Sequence, residues 1–346
     1  MNTIRKRIFT NKVEELNDAQ MNINGLGRIV TEQKGAYMVM THDEDILCKI
    51  SGRLHFETIN RDGLPAVGDW VKLNKEGRVI EGLLQRNSKF SRKKAGLEAE
   101  EQIIAANIDT IFILSSLNDD LNIGRLERYL LLCWESGANP VIVLTKADAC
   151  ETAEEKRIEV KEKLFGVNVI NISSVTGDGI DDLRPFLELG KTVALVGSSG
   201  VGKSTLTNLL MDSIVQKTKE VRESDDKGRH TTTHRELFLL ENGASIIDTP
   251  GMREIQLWQG QEGLSTQFGD IEEIALACKF KDCSHEEEPL CRIREAIQSG
   301  ELDETRLLQY KKLQREIAYT ERRGNKRLES LERKKWKSIG KQRKMK

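Results

Sequence analysis

Short apolar segments separated by glycine and proline turns fill residues 24–90 of the chain. The segments GRIV, AYMVM, DILCKI, GDWVKL and GRVIEGLL are rich in β-branched and aromatic residues and have the length of strands. Closely spaced short strands of this kind predict a small β-barrel. The polar, basic stretch SRKKAGLEAEEQ (residues 91–102) that follows predicts a linker.

Apolar strand patterns alternate with helical patterns over residues 103–258. The strand patterns are TIFILSSL, PVIVLTKAD, NVINISS, TVALVG and ASIIDTPG, and the helical patterns include GRLERYLLLCWESG and EEKRIEVKEKLFG. Such alternation predicts a parallel α/β sheet. Beyond about residue 265 the chain becomes helical and charged, and residues 302–323 predict one long helix with a polar face.

These patterns predict a multidomain α/β protein with three parts. An N-terminal extension and a β-barrel occupy residues 1–90, an α/β domain occupies residues 91–258, and a helical domain with a basic tail occupies residues 259–346. A length of 346 residues is consistent with two or three domains.

The net charge of −1 conceals two regions of opposite charge. Residues 322–346 contain 12 Lys or Arg and 2 acids, whereas residues 1–321 contain 42 and 53. A basic tail on an acidic body indicates a polyanionic partner, although a solvated tail gives the same pattern. The N-terminal segment lacks the apolar core of a secretory signal, and no apolar run approaches the roughly 20 residues of a membrane helix. We therefore expect a cytoplasmic protein without a membrane partner.

The segment GSSGVGKS fits the phosphate-binding pattern G-x-x-x-x-G-K-[ST] at every position. It follows the strand TVALVG and opens the helix TLTNLLM, which is the context the motif requires; a chance glycine-rich turn is the alternative. Lys203 is predicted to contact the β- and γ-phosphates as a catalytic residue, and the Ser204 hydroxyl is predicted to bind Mg²⁺. The predicted nucleotide-binding residues of this loop are Gly197, Ser198, Ser199, Gly200, Val201, Gly202, Lys203, Ser204 and Thr205.

The strand SII ends in DTPG about 50 residues after the phosphate loop begins. In nucleoside triphosphatases an acidic residue at such a strand end holds Mg²⁺, and a glycine N–H contacts the γ-phosphate. We assign the magnesium role to Asp248 and the γ-phosphate contact to Gly251. Four residues alone would be weak evidence, but their position after an apolar strand favours the assignment.

Two further strand ends carry residues suited to a guanine base. TKAD (Thr145, Lys146, Ala147 and Asp148) resembles the NKxD element of GTPases, in which a carboxylate accepts hydrogen bonds from guanine N1 and N2. SSVTG, whose first two residues are Ser173 and Ser174, resembles the loop in which a backbone N–H donates to guanine O6. Thr145 replaces the usual asparagine, and a plain surface turn is the alternative for TKAD alone. Together the two elements favour GTP or GDP over adenine nucleotides.

Three cysteines and one histidine crowd into 14 residues near the start of the helical region: Cys278, Cys283, His285 and Cys291. In a reducing compartment this spacing indicates metal binding rather than disulfides. Four sulfur and nitrogen ligands predict one closed, tetrahedral, structural zinc ion that stabilises a small domain. Unrelated thiols are the alternative.

The order of the motifs is rotated relative to an ordinary GTPase, because TKAD and SSVTG precede the phosphate loop and DTPG comes last. This order is a circular permutation, and it leads the segment after DTPG directly into the Cys/His region. Together with VGDWV (residues 67–71), RNSKFSRK (residues 86–93), IAANID (residues 104–109) and GRHTTT (residues 228–233), it resembles the RsgA (YjeQ/YloQ) family.

The resemblance implies an OB-fold barrel, a permuted GTPase domain and a zinc domain that bind the small (30S) ribosomal subunit and its rRNA during late maturation. It implies GTP or GDP, Mg²⁺ and one Zn²⁺ as cofactors, and we expect a monomer. Leu290 stands where the family commonly has a glycine before the last cysteine, a departure that concerns the turn and not the ligand.

The segment GRHTTT occupies the position of switch I, and Thr232 is predicted to close on Mg²⁺ and the γ-phosphate. Met252 follows Gly251 where Ras-like enzymes place the glutamine that orients water. We therefore expect slow intrinsic hydrolysis. His230 is the hypothetical water-positioning group once the ribosome orders switch I, and packing within the loop is its alternative role.

Two other functions compete with a ribosome-stimulated GTPase. One is an RNA-binding assembly scaffold that uses GTP as a structural ligand, which the missing glutamine favours. The other is an ATPase of transport type, which TKAD disfavours. The barrel offers Trp70, Phe56, Tyr37 and Phe90 as possible RNA-stacking platforms, although core packing is the commoner role, and the tail around Trp336 is the stronger candidate for rRNA phosphates.

Overall fold

Strands near the N-terminus close into a five-stranded barrel in this computed structural model. The strands are β1 (Leu26–Gln33), β2 (Ala36–Met40), β3 (Asp45–Ile50), β4 (Trp70–Leu73) and β5 (Val79–Leu83), with helix α2 (Gly52–Glu57) between β3 and β4. Their order is β1-β2-β3-β5-β4, and β4 pairs back onto β1. Only β3 and β5 pair in parallel. This is the predicted OB-fold barrel.

The structure describes residues 2–16, 22–33, 35–57, 63–93, 101–118, 121–164, 166–215, 235–249, 261–286 and 288–324.

A parallel sheet follows the barrel, as the alternating pattern predicts. Its strands are β8 (Thr110–Ser116), β9 (Asn139–Thr145), β10 (Asn168–Asn171), β11 (Thr192–Gly197), β12 (Glu236–Leu239) and β13 (Ser245–Asp248), and its helices are α3 (Ile123–Ser136), α4 (Ala153–Lys163) and α5 (Lys203–Val215). The order is β10-β9-β8-β11-β13-β12, in which only β12 runs antiparallel to its neighbour β13. Strands such as β8 are buried along their whole length, because a parallel sheet is covered on both faces.

The predicted linker at residues 91–102 is partly wrong. Strands β6 (Lys89–Lys93) and β7 (Glu101–Ala106) pair with each other and extend into both ends of that stretch. The reason is burial: Phe90 and Ile104 are almost fully shielded from solvent, so the chain near them pairs as strands rather than running free. Residues 94–100 lie outside the described part of the chain.

The barrel and the α/β sheet are continuous, because β1 pairs with β12 on one side and with β2 on the other. Thr31 on β1 lies opposite Glu236 on β12. The first half of β1, which pairs with β4 and β2, is buried at every position rather than at alternate ones.

A fully buried arginine lies at this junction. Arg28 on β1 donates to the Thr192 hydroxyl on β11 over 2.6 Å, and its guanidinium also lies 3.4 Å from the oxygens of Gly68, Asn107 and Ser245. Burial lowers the pKa of Arg28 to about 10, and nearby carboxylates partly oppose that shift. The guanidinium also lies over the ring of Trp70, which belongs to the barrel. One side chain thus connects β1 and β4 of the barrel to the phosphate-loop strand.

Residues of three motifs that carry the family resemblance meet beside Arg28. Asp69 is fully buried, and Arg86 donates to both of its carboxylate oxygens over 2.8 and 2.6 Å. Asn107, in the left-handed region at φ 53°, donates from its side-chain amide to the Gly68 carbonyl over 3.2 Å. Gly68 has φ 92°, and a Cβ there would lie 2.2 Å from the Ala106 carbonyl oxygen. Only glycine therefore fits this close approach.

An N-terminal helix that the sequence patterns did not reveal packs on the barrel. Helix α1 (Asn2–Leu16) places Phe9 edge-on against Trp70, with ring centroids 5.1 Å apart. Arg5 pairs with Asp45 at the start of β3 over 2.8 Å. An aromatic contact and an ion pair thus hold the helix against the barrel.

The chain divides into two compact units, and the second consists of Arg92–Glu101 and Gln256–Lys346. Its helices are α6 (Gln261–Gln267), α7 (Gly269–Leu276), α8 (Arg292–Ser299) and α9 (Glu304–Gly324). Arg306 on α9 donates to both carboxylate oxygens of Asp270 on α7 over 2.7 and 2.8 Å, and its guanidinium lies over the Phe268 ring.

No helix of the described residues is long and apolar enough to cross a membrane. The three domain boundaries given by the sequence patterns stay a prediction.

Replacing Arg28 with methionine is expected to lower the free energy of unfolding by about 2–3 kcal/mol, because buried acceptors lose their donor. Urea denaturation followed by circular dichroism measures the change. Arg78→Met removes an exposed arginine of the same barrel and is expected to shift stability by about 0.5 kcal/mol or less. Equal denaturation midpoints for the two variants would contradict a structural role for the junction arginine.

Candidate nucleotide site and metal centre

The predicted nucleotide-binding loops all lie at one edge of the α/β sheet. Strands β8, β9, β10, β11 and β13 run in parallel, so their carboxyl ends meet there. TKAD follows β9, SSVTG follows β10, the phosphate loop follows β11 and DTPG begins at the end of β13. The strand order reverses between β8 and β11, which is the position where open α/β sheets bind ligands.

The phosphate loop has the backbone that its glycines allow. Gly197, Gly200 and Gly202 have φ of 151°, 82° and 100°. A Cβ on Gly197 would lie 2.5 Å from the Leu114 carbonyl oxygen of β8. The loop leads directly into α5, whose first turn directs N–H groups toward the loop and favours an anion.

Lys203 points into this loop. Its ammonium donates to the carbonyls of Gly197 and Ser198 over 2.9 and 2.7 Å, and the residue is 7% exposed. Burial lowers the pKa of Lys203, and the negative charge of Asp248 partly offsets that effect. A bound phosphate would favour the charged ammonium further.

A hydroxyl and a carboxylate with the chemistry of magnesium ligands lie next to Lys203. The Ser204 hydroxyl donates to an Asp248 carboxylate oxygen over 3.4 Å, and Asp248 is 4% exposed. Hard oxygen donors of this kind suit Mg²⁺, so the residues fit the ion that the motifs imply. Across the strand pair, Glu236 lies opposite Asp248, and burial together with that neighbouring charge raises the pKa of Glu236.

Thr145 connects the base element to the phosphate loop. Its hydroxyl donates to the Val201 carbonyl over 2.7 Å, and the residue is 3% exposed. The threonine in the place of the usual asparagine therefore holds β9 against the phosphate loop. The next residue, Lys146, is exposed and has φ 61°, which turns the chain sharply at the strand end.

Asp148 and the SSVTG loop are held together by short contacts. The Ser173 hydroxyl donates to Asp148 over 2.6 Å and accepts from the backbone N–H groups of Val175 and Thr176 over 3.2 and 3.1 Å. The Ala147 N–H also donates to the carbonyl of the residue before Ser173. Asp148 itself is exposed, so its carboxylate is presented to solvent beside this loop.

The Cys/His residues converge as the spacing predicts. The ligand atoms of Cys278, Cys283, His285 and Cys291 all lie within 4.8 Å of one another. His285 Nδ1 is 3.7 Å from Cys278 Sγ and 3.5 Å from Cys291 Sγ. Zinc–ligand bonds of about 2.0–2.3 Å give tetrahedral ligand separations of about 3.5 Å, so the cluster is compatible with a zinc ion.

The turn around this cluster contains two residues in the left-handed region. His285 has φ 58° and Leu290 has φ 60°, and Leu290 is 60% exposed. Leu290 thus keeps the backbone conformation that a glycine would adopt, at a steric cost of about 1–2 kcal/mol.

Several predicted residues lie outside the described part of the chain. These are His230, Thr232, Gly251, Met252 and Trp336. Of the four barrel aromatics, the structure buries Trp70, Tyr37 and Phe90 and leaves only Phe56 exposed, at 89%. Tyr37 packs in the barrel core, Trp70 packs against Phe9 of α1, and Phe90 is buried on β6, so packing accounts for these three.

A family model described as RsgA GTPase matches residues 83–258. The small ribosomal subunit biogenesis GTPase RsgA 1 of Oceanobacillus iheyensis is 44% identical over 337 residues, covering 96% of this chain and 95% of the relative. RsgA 2 of Lactiplantibacillus plantarum is 47% identical over 297 residues, covering 85% and 84%. The chain belongs to the RsgA GTPase family.

Solved structures agree with the RsgA assignment. YjeQ from Thermotoga maritima superposes with a TM-score of 0.63 at 26% identity, covering 85% of this chain and 98% of the other. YloQ, described as a circularly permuted GTPase, gives a TM-score of 0.60 at 26% identity, covering 85% and 95%. The rotated motif order of this chain is thus a circular permutation shared with solved relatives.

Sequence reasoning about the RsgA motifs missed one acidic residue at the site. Glu236 is brought opposite Asp248 by the antiparallel pairing of β12 and β13. The available signal was its position, since a strand that follows switch I and turns directly back into the DTPG strand must place residues opposite that aspartate.

Thr145→Val is expected to weaken binding of GTP and GDP about tenfold, because the Val201 carbonyl loses a buried donor worth roughly 1–2 kcal/mol. Titration with fluorescent nucleotide analogues measures both affinities. Thr145→Ser retains the hydroxyl and is the matched control, for which we expect an affinity within about threefold of the unmodified protein. Wild-type affinity in the valine variant would show that the hydroxyl does not hold the two loops together.

Proposed function

We propose that this GTPase acts in biogenesis of the small ribosomal subunit, hydrolysing GTP while bound to the subunit and its rRNA. The observation that supports this most strongly is that TKAD, SSVTG, the phosphate loop and the start of DTPG meet at one sheet edge in permuted order, in a chain that matches relatives with that role in their names over more than 95% of its length. A cytoplasmic monomer is part of the proposal.

Each loop has a role in holding the nucleotide. The backbone N–H groups of the phosphate loop bind phosphate oxygens, and Lys203 neutralises the β- and γ-phosphates. Ser204 and Asp248 would hold a magnesium ion, which when bound would offset charge on the same phosphates. Asp148 accepts from guanine N1 and N2, while Ser173 fixes that carboxylate from the neighbouring loop.

Hydrolysis depends further on switch I and on the glycine that ends DTPG. Gly251 would contact the γ-phosphate, Thr232 would help to hold the magnesium ion, and His230 would position the attacking water. Met252 has no group that can orient water, so intrinsic turnover is slow. An ordered switch I on the ribosomal subunit would bring His230 to the phosphate and accelerate the reaction.

The C-terminal unit supplies the contact with RNA. One zinc ion bound by the Cys/His cluster stabilises the turn between α7 and α8, where the helices alone form a small core. The basic residues 322–346 bind rRNA phosphates. Because the segment after DTPG leads into this unit, the nucleotide state and RNA binding are connected along the chain.

The second candidate function is an RNA-binding assembly scaffold in which GTP is a structural ligand. Met252 in place of a catalytic glutamine favours it. The two functions differ in whether the ribosomal subunit changes the rate of hydrolysis.

GTP turnover measured with small subunits, large subunits or neither separates the two. We expect small subunits to raise the turnover number at least tenfold and large subunits to leave it unchanged, since catalytic groups that a partner orders in trans, such as an arginine finger, accelerate GTPases by much more. Lys203→Ala, which lacks the phosphate contact, controls for contaminating GTPases. Equal rates in all three mixtures would support the scaffold.

Leu290→Gly is expected to tighten zinc binding about two- to fivefold, because glycine removes the left-handed strain but adds flexibility to the unfolded chain. Competition against a zinc chelator measures the affinity. Leu290→Ala is the matched control: it shortens the exposed side chain but keeps the strain, so no gain is expected. A similar gain in both variants would attribute the effect to the side chain rather than to the backbone.

A further inference from the structure

Glu236 occupies a position next to the magnesium pair. It is the first residue of β12, and the antiparallel register places it directly opposite Asp248, the last residue of β13. Side chains that lie directly opposite in an antiparallel pair point to the same face, with Cβ atoms about 4.5–5.5 Å apart.

The face that these two acids share is the face of α5. Ile246, two residues before Asp248, packs in one core with Leu206 and Leu210 of α5. Asp248 itself contacts Ser204 in the first turn of that helix. Ser245 points the opposite way, because it contacts Arg28 at the barrel junction. Glu236 therefore lies on the nucleotide side of the sheet and not on the barrel side.

Two carboxylates in this arrangement repel each other, because like charges directly opposite in a strand pair are destabilising. Asp248 is buried and Glu236 is half-buried, which reduces the screening of that repulsion by solvent. A divalent cation beside Ser204 and Asp248 would turn the repulsion into attraction, since both carboxylates then face the same positive charge.

We propose that Glu236 is a positioning residue of the magnesium site, whose carboxylate holds the water shell of the ion from the strand opposite Asp248. The inference rests on the proposed GTPase site and adds a residue that the nucleotide-binding motifs do not contain. Outer residues of metal sites typically change metal affinity by 10–100-fold when they are replaced.

The test compares Glu236→Gln with the unmodified protein in two measurements. The first is GDP affinity in excess EDTA, and the second is the Mn²⁺ affinity of the GDP complex, followed by electron paramagnetic resonance. We expect Mn²⁺ to bind about tenfold more weakly to the variant, while GDP without metal binds with equal or higher affinity because a negative charge near the phosphates has been removed.

Glu241→Gln is the matched control, because it removes the same charge from an exposed position at the other end of the β12–β13 hairpin. Both of its affinities are expected to stay within about twofold of the unmodified protein. Unchanged Mn²⁺ affinity in Glu236→Gln would overturn the proposal. Parallel losses of metal-free GDP affinity and Mn²⁺ affinity would also overturn it, since they indicate that Glu236 only supports the fold.

The result for the unmodified protein separates this inference from the proposed function. If the unmodified protein binds no GDP, or if its GDP complex binds no divalent cation, the proposed GTPase site is wrong, whatever the result for Glu236. If the unmodified protein binds GDP and Mn²⁺ and Glu236→Gln has the same Mn²⁺ affinity, the proposed GTPase site is supported and the positioning role of Glu236 is wrong.

Discussion

The buried hydrogen-bond network around Arg28 is the constraint on which the relation between the barrel and the nucleotide site depends. A guanidinium without solvent must have its donors matched by acceptors, and here these come from both parts of the first unit. The Asp69–Arg86 pair beside it has the same requirement, because its carboxylate is fully buried. Separating the barrel from the sheet would take from Arg28 its Thr192 and Ser245 acceptors, so the barrel is an extension of the sheet rather than a tethered module.

The same sheet explains why a circular permutation leaves the site intact. Parallel strands present their carboxyl ends at one edge whatever the order in which the chain visits them. What must be preserved is the set of contacts between neighbouring strand ends, such as Thr145 to the phosphate loop and Ser173 to Asp148. These contacts join segments 25 to 56 residues apart along the chain, and they do not depend on where it begins.

Local patterns were sufficient to predict the barrel, the parallel sheet and the positions of the loops, because apolar runs and glycine spacing act over a few residues. They were insufficient wherever a contact between distant segments decides the outcome. An arginine inside GRIV gives no local sign that Thr192 will be its partner. Helix α1 is fixed by contacts with Trp70 and Asp45. Glu236 gains its significance only from the register of β12 against β13.

That register gives β12 a place between the two parts of the molecule. On one edge it pairs with β13, which carries Asp248, and on the other it pairs with the barrel strand β1. Glu236 is the residue at which both pairings meet, since it lies opposite Asp248 on one side and Thr31 on the other. A cation that holds Glu236 beside Asp248 therefore fixes the end of β12 to which the barrel is hydrogen-bonded. With the proposed metal site at Asp248, that site and the barrel strand would share one backbone segment, which would give the nucleotide state a direct structural route to the barrel.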